Sequence, residues 1–276
     1  MQSFPHSTPI VLTIAGSDSG GGAGIQADIK AISATGGYAC SVITAITAQN
    51  TRGVSAIFPI PIEHVAHQLD AVFSDLDVVA VKVGMLADAD IIRVVAEKIR
   101  QYRPRYLVVD PVMVATSGDL LLAQDAISTL KSDLLPLASV VTPNLPEGAA
   151  LTGSAIPQNT AEMAEMVAGL RTLGAASVLL KGGHLEDDEK STDLLIQQTH
   201  VEHFSARRIS TNNTHGTGCT LSSALASYLA QGHDLYSAVR SAKAYISEAI
   251  AHADKLNVGK GHGPVNHFFN GYQTLR

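Results

Sequence analysis

Short β-branched apolar runs alternate with longer stretches whose apolar residues recur every three or four positions, from one end of the chain to the other. The short runs predict strands at Ile10–Ala15, Cys40–Ala45, Ala80–Val83, Tyr106–Asp110, Ser139–Thr142, Ser177–Leu180, Asp193–Ile196 and His200–Phe204. The helical periods predict helices over Gly24–Ala34, Ile62–Ser74, Ala89–Tyr102, Ala123–Leu134, Thr160–Leu173, Thr217–Ala230 and Asp234–Ala253. This alternation predicts an α/β fold, a mostly parallel sheet with helices on both faces. Between Thr192 and Ile209 two strands follow each other with no room for a helix, which predicts an antiparallel hairpin at one edge. No internal repeat, low-complexity block or Pro/Gly/Ser-rich linker divides the chain. A single domain over residues 9–276 is therefore expected, behind a frayed polar leader at 1–8.

Composition narrows the partners. The 276 residues suffice for one sizeable core, and 46% hydrophobic against 16% charged residues fits strands covered on both faces. A net charge of -6 without any Lys/Arg run excludes nucleic acid and anionic membrane, both of which need clustered positive charge. Phosphate groups, if bound, must be held locally. The two cysteines, Cys40 and Cys219, form no CxxC or metal-spaced set, so neither a disulfide framework nor a structural zinc site is suggested. The N-terminus lacks a hydrophobic signal region and no uninterrupted apolar run reaches about 18 residues, so a soluble cytoplasmic protein is expected.

In an open α/β sheet, ligands bind outside the carboxyl ends of the strands. That rule selects Gly16–Gly24, Gln49–Asn50, Gly84–Met85, Asp110–Met113, Asn144–Glu147, Lys181–His184 and His215–Cys219. The segment from Asn213 to Thr220 reads as an anion-binding turn that opens a helix, with Gly216 and Gly218 permitting a tight backbone and the first-turn amides pointing outward beside the Cys219 thiol. The same field is expected to lower the pKa of Cys219 where the thiol faces the anion. The plainer alternative is a glycine turn with a small buried cysteine. His215 stands next to this turn, so a Cys–His hydrolase pairing is conceivable. A Cys-x5-Arg phosphatase is excluded, because Leu225 stands six residues after Cys219.

The glycine-rich loop from Gly16 to Gly24 matches neither nucleotide fingerprint: it has no Walker lysine, and Ile25 stands where a dinucleotide loop needs glycine. It either lets a ligand approach the backbone or is a permissive turn. Asp28, one turn into the following helix, either faces the pocket or complements the helix dipole. Asp110 ends an apolar strand and suits Mg²⁺ or a phosphate-linked network. Asn144 and Glu147 add an amide and a carboxylate at the next strand end, with a helix N-cap and capping box as the equal alternative. Lys181 leaves a strand buried on both faces and suits a phosphate, whereas Lys243 reads as a solvated helix residue. Gln49 offers both a donor and an acceptor, which suits the edge of an amino-heterocycle or merely steadies a turn.

Eight short motifs in order carry a resemblance that spans nearly the whole chain. They are the glycine loop with Gln26-Ala27-Asp28, Thr47 to Thr51, Lys82 to Met85, Asp110 to Met113, Thr142 to Glu147, Leu180 to His184, Thr214 to Thr220 and Gly261 to Phe268. Together they resemble the hydroxymethylpyrimidine/phosphomethylpyrimidine kinases of thiamine biosynthesis. The resemblance implies a single-domain, ribokinase-like three-layer α/β/α sandwich and two successive phosphoryl transfers from MgATP to 4-amino-5-hydroxymethyl-2-methylpyrimidine. It implies that Gln49 pairs with the aminopyrimidine edge, with Gly16, Asp28, Met85 and Val112 lining that pocket. Gly216, Thr217 and Gly218 would form the anion hole, with Cys219 the thiolate base. Asp110, Asn144, Glu147, Lys181 and Lys243 would serve ATP, and Asp110 and Glu147 would hold Mg²⁺, partly through water. A homodimer is expected from the fold group. Ribokinase-like enzymes usually carry aspartate where Cys219 stands, and a related group of pyridoxal kinases shares the cysteine. A pyridoxal kinase of the same fold is thus the nearer alternative, and a Cys–His hydrolase or a non-catalytic nucleotide-binding module the more distant one.

Overall fold

The computed structural model describes residues 8–113, 124–183, 185 and 189–271. Residues 1–7 of the expected leader, Ala123 at the start of an expected helix, and His184 lie outside the described residues. The strands are β1 (Ile10–Asp18), β2 (Tyr38–Asn50), β3 (Gly53–Pro59), β4 (Val78–Val83), β5 (Tyr106–Val109), β6 (Val140–Val141), β7 (Val178–Leu180), β8 (Lys190–Ile196) and β9 (Val201–Arg207). They form one sheet in the order β3-β2-β1-β4-β5-β6-β7-β8-β9. From β2 to β7 neighbours pair in parallel, as alternating strands and helices dictate. The expected β8–β9 hairpin is antiparallel, and β8 also runs antiparallel to β7. The opposite edge is antiparallel too, through β3 against β2. Strand β3 is not among those the sequence pattern predicts, because its last five residues are all exposed and therefore lack any one-sided apolar signal.

The helices are α1 (Gly24–Ala34), α2 (Ile62–Asp75), α3 (Ala89–Tyr102), α4 (Gln124–Thr129), α5 (Leu145–Thr152), α6 (Thr160–Glu165), α7 (Val167–Arg171), α8 (Thr217–Ala230) and α9 (Leu235–Ala251). Side chains of successive strand residues point to opposite faces, and two cores follow. Leu12, Ile14, Val81, Val83, Leu107 and Val109 pack with α2, α3 and the 130–135 segment. Val11, Ala80 and Val108 pack with α1, α8 and α9. The result is the expected three-layer α/β/α arrangement. Strand parity then places Thr13, Lys82 and Asp110 on the α1/α8 side of the sheet, where they are all buried.

Two irregularities re-aim the strand ends. The β1–β2 register shifts between Ala15 and Ser17, at Gly16. The β2–β3 register shifts between Ala48 and Gln49. A bulge of this kind bends its strand and redirects one side chain.

Candidate functional site

A cavity of about 810 Å³ opens at the carboxyl ends of the parallel strands. Gly16, Gln49, Met85, Asp110, Val112, Asn144, Glu147, Lys181, His215, Gly216, Thr217, Gly218, Cys219 and Lys243 all line it. Of the residues given a role there by the resemblance, Asp28 alone does not. Its carboxylate lies beneath the floor, fully buried, 2.9 Å from Lys82 Nζ. Thr13 Oγ1 donates to it at 2.6 Å and Ser223 Oγ at 2.7 Å. Neither sequence reading of Asp28 describes this arrangement: it is the counter-ion of a lysine that strand parity buries on the same side. Burial alone would depress the Lys82 ammonium, but Asp28, with Cys219 and Asp110 nearby, holds it well above its ordinary value. A lysine inside an apolar strand covered on both faces needs a buried partner, and that was the signal available for the pair.

A glycine turn opens α8 at the place the sequence indicates. Gly216 adopts φ 81°, a left-handed conformation that favours glycine, and caps α8 without a side-chain bond. A Cβ on it would lie 1.8 Å from Gly22 O, so the turn and the glycine loop touch with no room for a side chain. Of the first-turn amides of α8, that of Thr217 donates to Thr214 O at 3.2 Å, and those of Gly218 and Cys219 have no preceding helical carbonyl to bond. On Gly218, a Cβ would fall 3.3 Å from Lys181 Nζ and 3.5 Å from Asp110 Oδ2, so the turn faces the charged cluster at close range.

Cys219 departs from expectation. Burial pushes its thiol up to about 11; the Lys82 ammonium and the Gly24 amide oppose this, and the Asp28 and Asp110 carboxylates add to it. The direction of the shift is upward, towards the neutral thiol and against the lowering expected from the sequence. No hydrogen bond joins Cys219 to His215, whose Nε2 instead lies 2.8 Å from Asp18 Oδ2. The Cys–His pairing weighed from the sequence is absent.

The charged cluster grows from three neighbouring strand ends. Lys181 Nζ lies 2.8 Å from Asp110 Oδ1, and Thr142 Oγ1 donates to the same oxygen at 3.0 Å. Burial favours the neutral acid, but Lys181 and Lys82 hold the Asp110 carboxyl below the usual range. Lys181 is likewise held charged against burial by Asp110 and Glu147. Asn144 and Glu147 form a reciprocal capping box: each backbone amide donates to the other's side chain at 2.8 Å. Capping and cluster membership coincide, since the same bonds point Glu147 at the cavity. Burial pushes the Glu147 carboxyl up to about 7, with Lys181 opposing and Asp110 adding to the rise. Lys243 is not a solvated helix residue. It reaches from α9 to Asp193 Oδ2 at 2.7 Å and Ser191 Oγ at 3.1 Å, at the cavity wall.

At the other end, the bulge turns Gln49 towards the cavity, where Thr47 Oγ1 donates to its Oε1 at 3.1 Å. Ser19 Oγ brackets the same residue, 2.8 Å from both its N and its O. Gly16 is close-packed: a Cβ there would meet Met85 Cε at 2.6 Å. Asp18, part of the glycine loop but given no role by the sequence, accepts from the amides of Gly20 (2.8 Å), Gly22 (3.0 Å) and Ala23 (2.8 Å). The loop thus spends its amides on its own carboxylate. Against the pull of burial, the His215 bond and these amides hold Asp18 below the usual carboxylate range.

Among the described residues, no three His, Cys, Asp or Glu side chains converge on a metal position. Two carboxylates beside a lysine fit instead a Mg²⁺ carried in by a nucleotide, which takes one or two carboxylates and completes its shell with phosphate oxygens and water.

The family model for phosphomethylpyrimidine kinase matches residues 18–266. A hydroxymethylpyrimidine/phosphomethylpyrimidine kinase of Rhizobium meliloti strain 1021 is 56% identical over 261 residues, covering 95% of this chain and 97% of its own. A solved phosphomethylpyrimidine kinase of Clostridium difficile 630 is 44% identical with a TM-score of 0.78, covering 88% of this chain and 100% of that one. The ADP complex of Bacillus subtilis pyridoxal kinase is 35% identical with a TM-score of 0.88, covering 95% of this chain and 98% of that one.

Proposed function

The chain belongs to the phosphomethylpyrimidine kinase family, and we propose that it carries out two phosphoryl transfers in thiamine biosynthesis. ATP first phosphorylates the hydroxymethyl group of 4-amino-5-hydroxymethyl-2-methylpyrimidine, and a second ATP converts the monophosphate to the diphosphate. The observation that carries this reading is one cavity with Gln49 at one end, the Asp110–Lys181–Glu147 cluster at the other and the amide-lined turn of α8 between them.

Each residue's part follows from its chemistry. The Gln49 amide matches a ring edge that both donates and accepts, while Gly16, Met85 and Val112 present apolar surface and space beside it. Thr217, whose amide and hydroxyl both donate to Thr214 O, fixes the turn, and the amides of Gly216 and Gly218 serve the transferring phosphoryl group, where preorganised donors stabilise developing charge at almost no reorganisation cost. Lys181 offsets phosphate charge, with Asn144 and Lys243 along the nucleotide's path. Mg²⁺, when bound, neutralises charge on the phosphates, and Asp110 and Glu147 are the carboxylates that fit it. Cys219 stands at the acceptor hydroxyl with its proton on, so positioning and electrostatics bear most of the catalysis, as is general for phosphoryl transfer.

We further infer a cytoplasmic homodimer, supported by exposed Ile57 and Phe58 on the edge strand β3. Among the described residues no helix is long and apolar enough to cross a membrane. The test is ADP release from MgATP with the pyrimidine alcohol and, in parallel, with pyridoxal. Two ADP per pyrimidine bear the reading out. Turnover on pyridoxal alone, which the 35% identity to a pyridoxal kinase makes the specific alternative, overturns the substrate and the role of Gln49.

A further inference from the structure

We infer that Asp18 and His215 are a positioning pair that holds the anion turn of α8 in its working place against the glycine loop; this rests on the kinase reading above. Asp18 is 2% exposed and sits on the cavity wall, bonded to the residue that precedes the turn assigned above to phosphate. A carboxylate in that place repels the substrate unless its charge is taken up elsewhere. Three loop amides and the His215 ring take it up.

His215 immediately precedes Gly216, so the side chain that Asp18 fixes lies at the root of the turn. The His215 backbone is held independently, donating to Gly263 O at 3.0 Å and accepting from Val265 N at 3.3 Å. The turn is therefore clamped between the glycine loop and the closing segment of the chain. The fit is tight, because a Cβ on Gly22 would come within 2.4 Å of His215 Cδ2 and 3.1 Å of Pro264 Cβ. Neither residue of the pair bonds Asp110, Asn144, Glu147 or Lys181. Loosening the pair shifts the donors that meet the transferring group and leaves the nucleotide's own contacts in place.

Steady-state kinetics on the wild type and three variants test this. His215→Leu removes the bond to Asp18. His215→Gln restores a donor where Nε2 lies. Gly22→Ala leaves both partners chemically intact and wedges the two loops apart. The expected result is a fall in kcat of about 100-fold in His215→Leu and Gly22→Ala, as for a displacement of about an ångström at a reacting centre. KM for MgATP stays within about threefold, the mark of an interaction made only in the transition state, and His215→Gln recovers most of the loss. Unchanged kcat in His215→Leu and Gly22→Ala beside an active wild type would falsify the pairing alone. So would a parallel loss of kcat, KM and melting temperature that His215→Gln fails to recover, which is what a general packing defect gives. A wild type that releases no ADP on either alcohol removes the kinase reading and the pair's role with it.

Discussion

At the scale of single residues, protonation decides what the site can do. Cys219, pushed up to about 11, is ionised in a small fraction of molecules at neutral pH. If its thiolate takes the substrate's proton, kcat climbs as pH rises towards that value, and Cys219→Ser abolishes the climb. A flat wild-type pH profile removes Cys219 from the base role. Glu147 behaves in the opposite sense for stability. Its folded carboxyl titrates at about 7 against 4.5 as a free group, so between those values the folded state keeps a proton that the unfolded chain has released. The contribution of Glu147 to stability is full below that window and is lost as pH rises through it. Glu147→Gln keeps the capping geometry and is expected to flatten the decline in nucleotide-free protein, as read from denaturant midpoints across the window. Much of the cavity lining is legible in the sequence: Asp110 and Lys181 stand just past strand ends, where ligands bind, and Gln49 lies at the bulged end of β2. Asp28 misleads, because its partner Lys82 is 54 residues away and one sequence carries no record of which buried charges meet.

At the scale of elements, the positions of α1 and α8 on the sheet are fixed by polar pins as well as by apolar burial. Consecutive serines of α8 reach two different carboxylates, Ser222 to Asp110 at 3.3 Å and Ser223 to Asp28 at 2.7 Å. Lys82 joins β4 to α1 through the same Asp28. Lys82→Met leaves a fully buried carboxylate without its counter-ion and is expected to cost about 3–5 kcal/mol. Asp28→Leu in the same chain recovers a large part of this, and chemical denaturation of the single and double variants checks it. A single variant as stable as the wild type means that the hydroxyls of Thr13 and Ser223 suffice. Helices are legible here because each buries one apolar face, and parallel strands because each is a short apolar run buried on both. The expected 160–173 helix is broken into α6 and α7 at Met166, whose amide bonds back three residues to Met163 O at 3.2 Å, and the apolar spacing continues across the break. The β2 bulge is equally silent, since it depends on pairing with β3.

At the scale of the whole molecule, the closing segment ties distant parts together. His262 and Gly261 bond Thr51 beyond β2, Gly263 bonds Asn213, and His267 is buried against Thr220 of α8 at 2.9 Å. Burial pushes the His267 imidazole down to about 4, with Lys30 adding to the shift. As pH falls from 6.5 to about 4, the unfolded chain takes up a proton that the folded state refuses, so stability is lost across that window. The loss is on the order of 3 kcal/mol, and His267→Gln, which keeps a partner for Thr220, is expected to remove it. Urea midpoints at neutral pH and inside the window measure the difference; equal acid sensitivity in both proteins assigns the loss to other groups. The carboxylate lodged in the glycine loop also bears on inhibitor design. An anionic group aimed at this loop meets Asp18 already seated on its amides. Selective compounds for this protein should direct their anionic group to the α8 turn and bring a neutral or cationic group to the loop.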